Sequence, residues 1–234
     1  MTVPMWPKKR AKVRAIARLL GSLNGERCLC IGSADGRTCE ALRTGGGRWT
    51  HVSTDGSAPR LEAAAGRFDA VVLADVLEHI TEDRLLVRTA AGCVRPGGRF
   101  VAAAPVPLPG SWARLSRAVG LTDADFGHRR PGYTPDAFRR LVADAGLTVE
   151  SVRTLGGAVD ELLELAANAI LARLHGGAGA EAPALPMETT WRGLPGTAAG
   201  ALGRLVAAAS LLDRLPGMNL PTTVVVGARK GGRG

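Results

Sequence analysis

The stretch that decides the fold is residues 28–36, Cys-Leu-Cys-Ile-Gly-Ser-Ala-Asp-Gly. Its apolar first half is typical of a short buried strand, and its small second half is typical of a tight turn before a helix over residues 37–42. Such a turn exposes backbone N–H groups and the positive end of the helix dipole, so a polar ligand can approach the main chain closely. The stretch therefore predicts a binding turn for a nucleotide-like cofactor.

A carboxylate after the next apolar stretch fits the same prediction. Residues 49–54 read as a second strand, and Asp55 stands nineteen residues after Gly36. An acid at this distance from the glycine turn is placed to accept hydrogen bonds from two ribose hydroxyls. We therefore expect Asp55 to bind the sugar of the cofactor.

Strand and helix patterns alternate along the rest of the chain. Alternating strands and helices indicate an α/β sheet with helices on both faces, here of six strands with an antiparallel strand near one edge. Thr81 and Thr134 are predicted helix N-caps, and residues 96–98, Pro-Gly-Gly, predict a turn. The helices are predicted over residues 7–20, 81–90, 135–145 and 160–174, and the further strands over 71–74, 99–103, 147–152 and 222–226.

Three further segments complete an ordered set of motifs. Residues 68–80 read Phe-Asp-Ala-Val-Val-Leu-Ala-Asp-Val-Leu-Glu-His-Ile, residues 93–105 contain Pro-Gly-Gly before an apolar run, and residues 133–150 begin Tyr-Thr-Pro. With the glycine turn, they make the chain resemble the class I S-adenosylmethionine-dependent methyltransferases, and within them the branch that includes quinone, sterol and natural-product methyltransferases. The resemblance implies a Rossmann-like, doubly wound, mostly parallel sheet and S-adenosylmethionine as cofactor.

The resemblance also assigns the residues of the cofactor site. The turn would contact the methionine end of the cofactor, the acid after the second strand would bind the ribose, and the residues after the family's fourth strand would lie near the donor methyl. In chain order these residues are Gly32, Ser33, Ala34 and Gly36, then Asp55 and Gly56, then Ala74, Asp75 and Val76.

The chain departs from the family pattern at two places. Cys30 and Ala34 stand where the family usually has an acid and a glycine. Residues 56–67 are too few to hold the helix, third strand and adenine-binding acid that normally precede the next strand, so we expect the third strand to be missing. An alternative register would make Asp55 the adenine-binding acid and delete the second strand instead. A non-catalytic scaffold that has lost cofactor binding is the alternative function.

Two histidines are candidates for the base that a hydroxyl acceptor needs, because imidazole titrates near neutral pH. His79 follows Leu-Glu, and its alternative role is to hydrogen-bond a neighbour at the start of a helix. His128 lies in a polar loop and resembles the family's loop histidine that precedes a Tyr-Thr-Pro helix. Tyr133 would either orient substrate or pack on that helix. We expect methyl transfer to a small-molecule or lipid-type acceptor, with oxygen as the acceptor atom.

Two other enzyme classes fit these residues less well. A short-chain reductase would carry a lysine four positions after its tyrosine, and Tyr133, the single tyrosine, has none there. An RNA-modifying methyltransferase would carry a motif of the type Asn/Asp-Pro-Pro-Tyr/Phe, where residues 74–77 read Ala-Asp-Val-Leu. The sequence therefore predicts neither.

The formal net charge of +9 is concentrated near the N-terminus. Residues 8–20 carry basic side chains and no acid around an apolar stripe at helical spacing. Such a helix either packs its stripe on the domain or makes peripheral contact with an anionic membrane. The few aromatic residues are not interleaved with the basic ones, so we expect no nucleic-acid partner. The basic residues are Lys8, Lys9, Arg10, Lys12, Arg14 and Arg18.

The domain organisation follows from where the motifs end. We expect an S-adenosylmethionine-binding domain over residues 1–155 and 221–234, and a helical cap or lid over 156–220 that contains a Gly/Ala/Pro-rich linker at 176–186. No signal peptide is recognised, which predicts a cytoplasmic protein. The cysteines lack Cys-x-x-Cys spacing, so we expect free buried thiols rather than a metal site or disulfides. They are Cys28, Cys30, Cys39 and Cys93.

Overall fold

The computed structural model describes residues 7–32, 36–54, 61, 64–120, 127–174, 204–206 and 208–232. The chain divides into two compact units. We call residues 12–107, 132–154 and 223–234 the sheet unit, and residues 1–11, 108–131 and 155–222 the helical unit. Within the described residues, no helix is long and apolar enough to span a bilayer.

Apart from the helix at Gly110–Ala118 and a 3-10 helix, which the sequence did not predict, the helices and strands follow the predicted order, with ends that differ by a few residues. They are α1 (Pro7–Leu20), β1 (Arg27–Gly32), α2 (Arg37–Arg43), β2 (Arg48–Ser53), β3 (Phe68–Ala74), α3 (Asp83–Cys93), β4 (Val94–Pro105), α4 (Gly110–Ala118), α5 (Pro135–Ala143), β5 (Leu147–Leu155), α6 (Ala158–Leu174) and β6 (Thr223–Lys230), with a 3-10 helix at Ser210–Arg214.

The six strands form one mixed sheet in the order β2-β1-β3-β4-β6-β5. β1 pairs in parallel with β2 and β3, and β3 pairs in parallel with β4, whereas β6 runs antiparallel to β4. The predicted six-stranded sheet with an antiparallel strand near one edge is therefore confirmed. The described residues between β2 and β3 contain no strand, as expected. Because β2 exists and borders β1, the alternative register that deletes the second strand is wrong.

Both faces of the sheet are covered. Alternate residues of a strand point to opposite faces, and on one face Leu29 and Ile31 of β1 belong to the main hydrophobic core with side chains of α3 and α5. On the other face Cys28 and Cys30 are buried, and Leu19 of α1 lies 3.3 Å from where a Cβ on Gly227 would be. Helices on both faces make the sheet doubly wound, as predicted.

The predicted turn at residues 96–98 is a bulge inside β4. The pairing of β3 with β4 jumps from Phe68–Val94 to Ala70–Arg99, so the longer segment of β4 is extruded. A Cβ on Gly98 would lie within 3 Å of two backbone oxygens, so the bulge requires glycine there. Turn residues can serve a bulge as well as a turn, and only the pairing of the neighbouring strand distinguishes the two.

One of the two predicted helix caps is correct. The Thr134 Oγ accepts a hydrogen bond from the Ala137 N–H at 3.3 Å at the start of α5. The prediction of Thr81 as N-cap of α3 is wrong, because Glu82 occupies that position and makes no side-chain cap bond. The Glu82 carboxylate nevertheless lies at the N-terminal, positive end of α3, where a negative charge is favourable.

An aspartate fastens the 3-10 helix to the start of α6 in the helical unit. The Asp213 carboxylate accepts hydrogen bonds from the Val159 N–H at 2.7 Å and the Asp160 N–H at 3.1 Å. A Cβ on Gly157 would collide with this carboxylate at 2.0 Å. Asp213 therefore acts as an N-cap supplied from a distant part of the chain.

Asp160 is 8% exposed, and burial raises its pKa above the ordinary value, with the Asp213 and Glu164 carboxylates adding to the rise. The folded state then holds the Asp160 proton more tightly than the unfolded chain does, so stability is fullest below the ordinary aspartate pKa and falls as pH rises through the raised one. We expect Asp160→Asn to raise the melting temperature at pH 7 by roughly 2–4 °C. Circular dichroism at pH 4 and pH 7 measures this, and the advantage should shrink at pH 4.

A matched variant separates this effect from capping. Asp213→Ala removes the acceptor of two helix N–H groups, which costs about 1 kcal/mol, so it should lower the melting temperature at pH 7. If Asp160→Asn also lowers the melting temperature at pH 7, the burial of its charge is not a cost to the fold.

Candidate cofactor-binding site

Three parallel strands end together where the sheet order changes direction. Gly32 at the end of β1 pairs in register with Ser53 of β2 and with Ala74 of β3. β1 thus lies between the two strands that follow it in sequence. In open α/β sheets, ligands bind at the carboxyl ends of the strands at such a switch point. By this rule, the ends of β1, β2 and β3 beside Gly32 are the candidate place for a ligand.

The two glycines at the ends of the turn leave little space for a side chain. A Cβ on Gly32 would lie 3.2 Å from the Cys39 Sγ and 3.3 Å from the Ala74 carbonyl oxygen. Gly36, the N-cap of α2, has φ +60°, and a Cβ there would lie 3.1 Å from the His51 ring. We call Gly32 and Gly36 together the glycine cradle. Such a pair of glycines lets a ligand contact the main chain and the helix N-terminus directly.

His51 on β2 is a site residue that sequence reasoning missed. Its ring lies against Gly36, and its Nε2 is buried and has no hydrogen-bond partner among the residues that the structure describes. A buried polar atom normally has a partner, so this nitrogen is available to a ligand at the turn. The sequence signal was weak, since His51 belongs to no motif and only the pairing of β2 with β1 brings it to the turn.

Asp75 has an unusual backbone at the end of β3. Its φ is +52°, and it is the one non-glycine residue with positive φ in the described part of the chain. Its carboxylate forms an ion pair with the Lys12 ammonium of α1, with the two side chains 24% and 13% exposed, and its N–H donates to the Ala103 carbonyl at 3.4 Å. Strained residues of this type cluster at functional sites.

The prediction of four free thiols is wrong for Cys30 and Cys39, which form a disulfide. The physical reason is that α2 folds back onto the end of β1 and brings the two Cα atoms to 5.8 Å, within the range that a disulfide bridges. Their spacing in the sequence carried no such signal. Cys28 and Cys93 are buried thiols, as expected.

The other predicted cofactor-binding residues are only partly accounted for. Gly32, Gly36, Ala74 and Asp75 meet at the ends of β1 and β3 and the start of α2, and Val76 follows them as a buried residue. Ser33, Ala34, Asp55 and Gly56 lie outside the described residues. The predicted contacts of all of these residues with the cofactor stay predictions.

The two predicted catalytic histidines lie in different units. His79 belongs to the sheet unit, half-buried in the segment between β3 and α3, where its N–H donates to the Val76 carbonyl at 3.1 Å. His128 belongs to the helical unit and is also half-buried. Their roles stay predictions.

Tyr133 packs rather than projecting into open space. Its ring centroid lies 5.1 Å from that of Phe138, and its hydroxyl donates to the Asp83 Oδ2 at 2.7 Å. This arrangement ties the start of α5 to the start of α3, which is the packing alternative of the sequence analysis.

The glycine cradle, the switch point and the strand order are those of class I S-adenosylmethionine-dependent methyltransferases. The sequence profile of the family described as "Methyltransferase domain" matches residues 7–152. The chain belongs to this methyltransferase-domain family, and S-adenosylmethionine is its cofactor.

A curated relative and two solved structures extend the comparison. A ubiquinone biosynthesis O-methyltransferase from Methylobacterium sp. (strain 4-46) is 54% identical over 96 residues, which cover 37% of this chain and 36% of that protein. The match thus spans about a third of the relative. An S-adenosylmethionine-dependent methyltransferase from Archaeoglobus fulgidus superposes with a TM-score of 0.55 at 14% identity, covering 94% of this chain and 92% of that one.

The second solved structure is the [4+2]-cyclase SpnF, with a TM-score of 0.55 at 14% identity over 96% of this chain and 81% of that one. At such identities the structural likeness establishes the fold alone. Function has to be argued from the family and from the site.

Proposed function

We propose that the protein transfers the methyl group of S-adenosylmethionine to a hydroxyl oxygen of a small-molecule or lipid-type acceptor. The observation that carries this proposal is the 54% identity to a ubiquinone biosynthesis O-methyltransferase over 96 residues. The intact glycine cradle at Gly32 and Gly36 supports cofactor binding. It therefore speaks against the alternative of a scaffold that has lost its cofactor.

The chain's own residues have a limited task in such a reaction. Bound S-adenosylmethionine supplies an electron-poor methyl group on its sulfonium. Displacement at that carbon needs an acceptor held in line and water kept out, rather than covalent help from the protein. We assign the main chain from Gly32 to Gly36 to the amino-acid end of the cofactor, Asp55 to the ribose, and residues 74–76 to the surroundings of the methyl group.

A hydroxyl acceptor loses its proton as its oxygen is methylated. We assign this proton to a histidine, either His79 or His128, because imidazole accepts protons near neutral pH. The cap predicted over residues 156–220 is proposed to cover the acceptor. Its exposed apolar side chains, which suit a lipid-type acceptor, include Leu205, Leu211, Leu212 and Leu215.

Titration calorimetry with S-adenosylhomocysteine, the demethylated product, tests the cofactor site without an acceptor. We expect one molecule to bind per chain, and Asp55→Ala to weaken binding at least about tenfold, because two hydrogen bonds from ribose hydroxyls to a charged group are lost. Absence of binding to both proteins at high micromolar concentrations would support the scaffold alternative.

Contact of residues 8–20 with an anionic membrane stays a prediction. Lys8 bridges Glu161 at 2.9 Å and Glu164 at 3.0 Å, and Lys12 pairs with Asp75, so part of the positive charge of α1 is already compensated within the fold. The prediction is that sedimentation with anionic vesicles exceeds that with neutral vesicles and falls as salt is raised.

A further inference from the structure

A disulfide joins the two segments on either side of the predicted cofactor turn at residues 32–36. It joins Cys30, the third-last residue of β1, to Cys39, in the first turn of α2. Both cysteines are nearly inaccessible, at 0% and 3% exposure. The closed ring spans residues 30–39 and therefore contains both glycines of the cradle. No other part of the described sheet unit is cross-linked in this way.

The disulfide also lies close to the glycine cradle. The Cys39 Sγ lies 3.2 Å from where a Cβ on Gly32 would be. The sulfur therefore occupies the space next to Gly32 that a side chain at this position would need. Cys30 is the register partner of His51, whose ring lies against Gly36. Each end of the turn is thus in contact with a residue of the disulfide or with its strand neighbour.

Reduction of the Cys30–Cys39 disulfide must move its two sulfur atoms. Two sulfur atoms that are no longer bonded repel each other at bonding distance, and the surrounding core is closely packed. The two sulfur atoms therefore have to move apart when the disulfide is reduced, by rotation of the side chains or by movement of α2 away from the end of β1. With the bond intact, the turn between them has fewer conformations, so less entropy is lost when a ligand orders it.

We propose that Cys30 and Cys39 are a redox-active pair that sets the affinity of the protein for its cofactor, the disulfide form binding more tightly. This proposal rests on the assignment of the turn at residues 32–36 to S-adenosylmethionine. The partner in the reaction is a low-molecular-weight thiol of the glutathione class. The chemistry is thiol–disulfide exchange, and because both sulfur atoms are buried, the turn has to open transiently before the small thiol can attack.

The exchange is balanced by two molecules of the small thiol. The thiolate of the first attacks one protein sulfur, which breaks the Cys30–Cys39 bond, forms a mixed disulfide and leaves the other cysteine as a thiolate that takes up a proton. The second small thiol attacks the mixed disulfide, which releases the remaining protein thiol and one molecule of small-molecule disulfide. The protein gains two electrons and two protons, and two small thiols lose them.

Thermodynamic linkage gives the proposal two consequences that can be measured separately. If the disulfide raises cofactor affinity by some factor, then the cofactor stabilises the disulfide against reduction by the same factor. Affinity and redox equilibrium must therefore change together. A disulfide with a purely structural role would change the melting temperature, but the two redox forms would have equal dissociation constants and the cofactor would not shift the redox equilibrium.

The test uses the native chain with S-adenosylhomocysteine as probe. Calorimetry on the oxidised protein and on the protein kept in excess dithiothreitol should give dissociation constants that differ roughly tenfold, within the usual range for coupled sites. In glutathione buffers of graded composition, alkylation and mass spectrometry give the fraction of disulfide. The midpoint is the ratio of squared reduced glutathione to oxidised glutathione at which half of the protein carries the disulfide. Saturating S-adenosylhomocysteine should shift this ratio by the factor that separates the two dissociation constants.

The other two cysteines provide matched controls. Cys28 is buried in the same strand, and burial, with a contribution from the Glu26 charge, raises the pKa of its thiol to about 11, which makes it a poor nucleophile. Cys28→Ser and Cys93→Ser should retain the redox response. Cys30→Ala with Cys39→Ala should bind like the reduced protein in both buffers.

Equal dissociation constants for the two redox forms would overturn the proposal and leave the cofactor assignment intact. Failure of S-adenosylhomocysteine to bind either form would overturn both. A redox response that survives in the protein lacking Cys30 and Cys39 would also overturn the proposal.

Discussion

Gly32→Val should lower the affinity for S-adenosylhomocysteine by about 100-fold or more, the penalty typical of a displacement near 1 Å in a site. A Cβ at this position meets the Cys39 Sγ at 3.2 Å and the Ala74 carbonyl oxygen at 3.3 Å. The sulfur is held by its disulfide and the oxygen belongs to β3, so neither can rotate away. The end of β1 must move instead, and with it the main chain that we propose binds the cofactor. Calorimetry measures the loss.

Two further variants separate the local effect from a loss of folding. Gly32→Ala adds only the Cβ, and we expect an intermediate loss of about tenfold. Gly92→Ala is the matched control, because a Cβ there meets no atom within 4 Å and alanine favours the helix α3. It should bind S-adenosylhomocysteine like the native chain and melt slightly higher. An unchanged affinity in a folded Gly32→Val protein would refute the cradle.

Asp75→Asn should reduce the rate of methyl transfer at least about tenfold at near-native stability. Asparagine tolerates the positive φ that Asp75 adopts, so the backbone should persist. What disappears is the negative charge opposite Lys12 at the carboxyl end of β3. The ammonium, in a side chain only 13% exposed, is then left without a counter-charge beside the proposed position of the cofactor's sulfonium, which disfavours a second positive charge there.

The control is an ion pair on the surface. Asp144 pairs with Arg84 at 3.8 Å, and the two side chains are 58% and 72% exposed. Exposed pairs contribute little, so Asp144→Asn should leave rate and stability unchanged. Lys12→Met should recover part of the activity that Asp75→Asn loses when the two are combined, because it removes the uncompensated charge. If Asp75→Asn keeps its full rate, the Asp75 carboxylate has no role in the site.

Local chemistry was sufficient to predict the sheet. Apolar runs at residues 28–31 and 71–74 are buried strands because parallel strands covered on both faces need continuous apolar sequence. The cap at Thr134 and the stop at Gly146, whose φ is +78°, follow from preferences of single residues. The short interval before Phe68 correctly predicted that β2 is followed by β3 with no further strand among the described residues between them.

The site was predictable only where a motif carries it. Gly32 and Gly36 were predicted from the turn, because glycine is the residue type that allows another group to approach the backbone closely, and both positions are tightly packed. His51 was not found, because its relation to the turn depends on the register between β2 and β1. The Lys12–Asp75 pair was not found either, since it joins residues 63 apart in the sequence.

By itself, the sequence determined the order of elements, the family and the place of the cofactor turn, because each is fixed by residues within a few positions of one another. Only the tertiary structure decided that Cys30 and Cys39 are bonded, that residues 96–98 bulge rather than turn, and that Asp75 faces Lys12. These depend on distances between segments, which are set when the core closes around the sheet and brings together groups that have no local preference for one another.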